Sequence, residues 1–275
     1  MKTTNQLFLA IAMMLLLFPV QFISAQDESQ APEYVTMTTM HWNMDNDDFT
    51  MDDWKAVEKE FMDKVTKKNE YVMAAGFYLH NISADNSELI YVQAYPNWNA
   101  IDLAAKKAEE LIKAGWPDEE KRDAFFKKQT NFYEVRHSDE IYATMPFAKP
   151  LAIPAAKDMI VHLRVSHFAY PENGSEEEFM KTFTEYHEHV TKKNDYIKAY
   201  YPMAHAYGSD KRQFVEATFL SSIDDLNDMF DKDGELFNAH WSDDAAKKKM
   251  DELGGKYFTG FHSDAIYSVV PELRK

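Results

Sequence analysis

Val65-Thr66-Lys67-Lys68-Asn69-Glu70-Tyr71 is followed 125 residues downstream by Val190-Thr191-Lys192-Lys193-Asn194-Asp195-Tyr196. His137-Ser138-Asp139-Glu140-Ile141-Tyr142 returns at the same offset as His262-Ser263-Asp264-Ala265-Ile266-Tyr267. Two matched strings in one register mark an internal duplication, and a repeat is settled first because it defines the unit that must fold. Between them Trp54 aligns with Phe179, Phe61 with Tyr186, His80 with His205 and Trp116 with Trp241. Tyr91-Val92-Gln93-Ala94 aligns with Phe214-Val215-Glu216-Ala217 at an offset of 123, which implies a two-residue deletion in the preceding turn. The chain therefore reads as a first unit over residues 32–146, a linker over 147–156 stiffened by Pro150 and Pro154, and a second unit over 157–271.

Each unit opens on a β-rich run, residues 34–43 and 159–169. Thr50-Met51-Asp52-Asp53 and Ser175-Glu176-Glu177-Glu178 then place a hydroxyl with an acid three residues on, the signature of a helix start. Trp54, Val57, Phe61 and Val65 follow at spacings of three and four, as do Phe179, Phe183, Tyr186 and Val190, so one face of this helix points at a core. Residues 71–80 and 89–95 predict a hairpin, 98–113 a second helix, the stretch after Trp116-Pro117-Asp118 a further short helical segment, and 132–142 a last strand. The order is β-α-β-β-α-β, a ferredoxin-like α+β unit with helices on one face of an antiparallel sheet. One unit leaves its other sheet face bare. Pairing two units hides both.

This element order, duplicated along nearly the whole chain, resembles the dimeric α+β barrel superfamily. Its members include cofactor-free antibiotic-biosynthesis monooxygenases and, as fused tandem units, the chlorite dismutase and dye-decolourising peroxidase haem proteins. The resemblance implies an intramolecular barrel, a ligand held in its interior or between sheet and helices, and haem as one cofactor to consider. No diagnostic motif accompanies it, so no family residue transfers by position.

Lys2, the apolar run of residues 7–20 and the small Ala25 before an acidic stretch read as a secretory leader over residues 1–25. The run is shorter than the roughly 20 apolar residues a membrane-spanning helix needs. The expected product is secreted or periplasmic, without a membrane anchor. Thirty Lys and Arg against 46 Asp and Glu give a net charge of −16, which repels nucleic acid and anionic lipid. The chain has no Cys, which removes disulfides, thiolate metal sites and cysteine nucleophiles. Association of the fused chain into oligomers stays open.

Three histidine pairs occupy matched places: His41 with His167, His80 with His205, and His137 with His262. Strand alternation puts His167 on the face of Val161, Leu163 and Val165, and opposite to His162, Arg164 and Ser166. His80 and His205 likewise share a face with apolar neighbours. Imidazole titrates near neutrality and can move protons or ligate iron. His41, His80, His167 and His205 are therefore the candidate catalytic residues for a small-molecule ligand. His137-Ser138-Asp139 and its repeat suggest a bulge with local hydrogen bonds. His187 and His189 sit two apart on a helix and point to different faces, against a metal site there. His162, His187, His189 and His240 have no His partner in the first unit, so the second carries the richer chemistry. Two functions fit: an oxidoreductase or monooxygenase-like enzyme, cofactor-free or haem-dependent, and a non-catalytic exported binding or accessory protein.

Overall fold

Thr50 starts the first helix as expected: its side chain accepts from the Asp53 amide at 3.0 Å and its hydroxyl donates to the Asp53 carboxylate at 2.6 Å. Ser175 repeats the cap on the Glu178 amide at 3.1 Å. The computed structural model describes residues 31–275; the leader expected over residues 1–25 lies outside them. The elements are β1 (Tyr34–Trp42), α1 (Met51–Lys64), β2 (Ala74–Ile82), β3 (Glu88–Tyr95), α2 (Trp98–Gly115), α3 (Glu119–Thr130) and β4 (Tyr133–Thr144). They are followed by β5 (Ile160–Phe168), α4 (Glu176–Tyr186), β6 (Ala199–Tyr207), β7 (Gln213–Leu220), α5 (Asp225–His240), α6 (Asp244–Tyr257) and β8 (Phe258–Arg274). The short helical segment expected after Trp116 is a full helix, α3, capped by Asp118, and α6, at the matching place in the second half, is capped by Asp243.

The fold is α+β, and the eight strands close into one antiparallel barrel in the order β1-β3-β2-β8-β5-β7-β6-β4. Two seams, β2 with β8 and β4 with β6, join the halves, so Pro32–Lys275 packs as one body. Alternation sorts the side chains. Val35, Met37, Ile90, Val161, Leu163, Val215 and Phe219 fill the barrel interior. The opposite strand faces carry the helices through three further clusters, one around Trp54, Trp116 and Phe125, one around Phe179, Phe214 and Tyr257, and a smaller one of Ala75, Tyr95, Ala100 and Ala104.

The duplicated string earns its place through its asparagine. Asn69 is buried and donates to the Ala104 carbonyl at 2.8 Å; Asn194 does the same to Met229 at 2.9 Å. Each ties the end of the first helix to the body of the second.

Two expectations are corrected. The offset of 123 in the hairpin does not hold: β1 pairs His41 with Glu88 and β5 pairs His167 with Gln213, and Glu88 and Gln213 both close their turns on Asp85 and Asp210 at 3.2 Å. Tyr91 therefore corresponds to Glu216, and no deletion is present. The bulge expected at His137-Ser138-Asp139 lies just before it: Ser138 and Asp139 continue the ladder opposite Thr39 and Thr38, as Ser263 and Asp264 do opposite Val165 and Arg164. The register shifts between the pairs Met40 with His137 and Trp42 with Tyr133, and again between Ser166 with His262 and Phe168 with Phe258. The short Asp139 side chain instead bonds across strands: Thr38 donates to it at 2.7 Å.

Candidate functional site

A cavity of about 530 Å³ lies between the outer face of β5, β7 and β6 and the helices α4, α5 and α6. Its floor is set by cross-strand register. Arg164 stands between Asp264 on β8 and Glu216 on β7, and His162 stands beside Thr218. Asp264 gathers this row: Arg164 donates to it from Nε at 2.8 Å and from Nη2 at 3.3 Å, and His162 Nε2 lies 2.8 Å away. Burial alone would raise the Asp264 pKa, but the hydrogen bonds from Arg164 and His162 hold it below the usual carboxylate range. For buried His162 the balance runs the other way, and desolvation lowers its pKa against the pull of Asp264.

Across the floor, the Tyr200 hydroxyl donates to Glu216 Oε1 at 2.6 Å. Burial raises the Glu216 pKa despite that bond, and raises Asp233 on α5 although Asn194 donates to it at 2.8 Å. Tyr186 on α4 is raised above its ordinary value by burial and by the nearby acids Asp233 and Glu216. The cavity thus holds closely spaced acids and phenols.

The roof supplies His187. It ends α4 and begins a π-helical turn, His187–Thr191, a widened ring that recurs at functional sites. The side chain is 3% exposed, its Nδ1 has no hydrogen-bond partner, and it lines the cavity. Desolvation lowers its pKa, favouring the neutral imidazole. Phe183, Met250 and Phe258 complete the apolar wall, while Phe230 and Asp251, both exposed, mark the opening. Gly254 of α6 faces the space, since a methyl group added there meets nothing within 4 Å.

The four candidate histidines sit elsewhere. His41 and His80 lie at one end of the barrel: His41 pairs with Glu88, His80 with Tyr267, and the Tyr267 hydroxyl donates to Glu88. His167 and His205 form the matching group with Gln213 and Tyr142, whose hydroxyl donates to Gln213 at 2.8 Å. Tyr142 stands opposite Val35, six positions along β1 from His41, which separates the groups by roughly 20 Å at about 3.3 Å per residue. His41 Nδ1 lies 3.3 Å from Ser87 Oγ and 3.4 Å from Asp85, and His80 Nδ1 lies 2.9 Å from Ser83 Oγ, both anchored to the turn that follows β2. His167 lies 3.5 Å from Asp210, and the Nδ1 of His205 is buried without a partner. The four are thus split into two pairs, and none lines the cavity. His137 and His262 are spent on their own strands, on Val135 and Gly260 carbonyls at 3.1 Å.

His162, His187, Glu216 and Tyr200 were not singled out by the alternation argument, which followed the barrel-facing side. The available signal was the repeat: His187 stands at the place of buried Met62, and Glu216 at the place of half-buried Tyr91.

No protein-family model matches the chain, and no curated protein matches it in sequence. Solved structures do. A monooxygenase-like protein of Fusobacterium nucleatum superposes with a TM-score of 0.53 at 11% identity, over 87% of this chain and 93% of its own. Chlorite dismutase from Candidatus Nitrospira defluvii superposes with a TM-score of 0.52 at 9% identity, over 89% and 95%. The chain has the dimeric α+β barrel fold. At such identities the likeness extends to the architecture and not to the chemistry. Within this fold the interior of the barrel is filled by side chains, and the open space lies between sheet and helices of the second half.

Proposed function

We propose that this protein is an exported oxidoreductase of the cofactor-free, monooxygenase-like kind, formed by fusion of two ferredoxin-like units, whose second-half cavity binds a small organic molecule. The observation that carries this reading is His187: a buried, neutral imidazole with an unpartnered nitrogen on the wall of a cavity of about 530 Å³. Cavities of this size hold metabolite-sized ligands, and a neutral imidazole in the wall of one is a base for a substrate proton. The aromatic wall holds the ligand body and excludes water. His162, fixed by Asp264, shapes the floor. The likeness to monooxygenase-like proteins supports the oxidoreductase class at the level of fold.

Haem fits less well. One imidazole is the donor an iron takes, but the single guanidinium on the wall is already bidentate to Asp264, and Glu216, Asp233 and Asp251 oppose the two propionates of a haem.

Native mass spectrometry of residues 26–275 from the exported fraction reads any retained ligand. A retained organic mass, lost in His187→Met, is the expected result. A haemin titration in parallel gives no absorbance shift on this reading; a shift that His187→Met abolishes would replace it with the haem one. A bare mass, with no small-molecule binding by any probe, would turn the assignment to an accessory protein.

A further inference from the structure

The polar groups of the cavity are unbalanced, and the imbalance specifies a ligand. On the walls, Glu216, Asp233 and Asp251 face the space, and the one guanidinium among the described residues there, Arg164, spends two of its donor positions on Asp264. Glu216 uses Oε1 for the Tyr200 hydroxyl, and Oε2 has no protein donor. Asp233 accepts from Asn194 through Oδ1. The carboxylates of the wall therefore outnumber its guanidinium, and Glu216 Oε2 is an acceptor without a donor. Around them stand Phe183, Tyr186, Phe230, Phe237 and Phe258, whose ring faces attract a cation. His187, 3% exposed, lines the same cavity, and its buried Nδ1 has no hydrogen-bond partner.

We propose that the ligand of this cavity is an aromatic or aliphatic amine, bound as its ammonium form with the charged head on Glu216 and the apolar body against the aromatic wall. The assignment rests on the reading of the cavity as the ligand site, and adds the chemical class. An ammonium donates to the free oxygen of Glu216, and a charge-assisted bond of this kind in a desolvated site outweighs its neutral counterpart. A carboxylate in the same place meets Glu216 and Asp233 and is rejected by like charge.

The test compares three probes of one shape: 2-naphthylmethylamine, 2-naphthylmethanol and 2-naphthoate, titrated calorimetrically at pH 7 against the full mature chain. The amine is expected to bind about tenfold more tightly than the alcohol, the equivalent of one charge-assisted bond, and the naphthoate more weakly than both. Glu216→Gln, which keeps shape, removes the amine's advantage and leaves alcohol binding unchanged; Asp233→Asn gives the same direction with a smaller loss. Alcohol or naphthoate binding as tightly as the amine, or a Glu216→Gln chain that keeps the preference, overturns the amine assignment while leaving the cavity as a ligand site. Failure of all three probes to bind the folded chain overturns both.

Discussion

In the first half Trp54 meets Phe77 at 5.5 Å and Trp116 meets Phe125 at 4.1 Å, over a buried Glu58 that takes hydrogen bonds from Tyr133 and Gln129. In the second half the aligned places hold Phe179, Pro202, Trp241, Met250, Phe183, Phe258 and Gly254, and a cavity remains between them. The framework is shared, down to the asparagine that joins the helices. What differs is side-chain volume at the sheet–helix layer: ring for sulfur chain at Phe125 and Met250, amide for nothing at Gln129 and Gly254, thioether for imidazole at Met62 and His187. A packed layer stabilises, and a hollow one leaves room for chemistry.

This contrast is open to direct attack. The largest expected effect is in the packed layer: Phe125→Ala should lose about 3–5 kcal/mol in urea unfolding, against about 1 kcal/mol for the half-buried Met250→Ala. Equal losses would mean the cavity collapses in solution. Exchanging the roof residues comes next. Met62→His buries an unpaired imidazole in a full core and should cost about 2–3 kcal/mol. His187→Met, at a buried place in the cavity wall, should stay within about 1 kcal/mol of the parent and abolish ligand binding; a severe loss of stability there would make His187 a structural residue.

Gly254→Gln copies the first half into the second. Removing a glycine from a helix interior should raise stability by about 0.5–1 kcal/mol, while the new amide occupies the cavity and ligand affinity falls. Unchanged affinity would move the ligand elsewhere. The smallest effect is in pH dependence. Burial raises the Glu216 pKa in the folded state above the ordinary 4.5. A carboxyl shifted upward contributes stability below its unfolded pKa, and that contribution is lost as pH rises through the folded value. Stability measured from pH 4.5 upward should therefore decline less in Glu216→Gln than in the parent, and identical profiles would show Glu216 to be solvated.

The barrel was legible in the sequence because the duplicated strings fix the unit, and the helix caps at Thr50 and Ser175 fix the phase of its elements. The cavity was not. Strand alternation sorts residues into two faces but does not say which face stays open, and the barrel-facing choice led to His41, His80, His167 and His205. His187 stands out in the sequence as one of four histidines without a counterpart in the first half, where Met62 takes its place, but that comparison does not tell which of the four reaches a cavity. Packing volume, which decides between solid and hollow, comes from many side chains on separate elements, and no local motif encodes it.

The two seams also shape how the chain reaches its folded state. Tyr78 in β2 pairs with Val269 in β8, 191 residues downstream, so the barrel is circular only after all eight strands are in place. Until then β2 and β5 each present an edge with unmet backbone partners. Such closure across most of the chain length implies slow, late commitment to the folded state. It also places the C-terminal strand under the strictest demand for integrity: a chain shortened by β8 opens both halves at once.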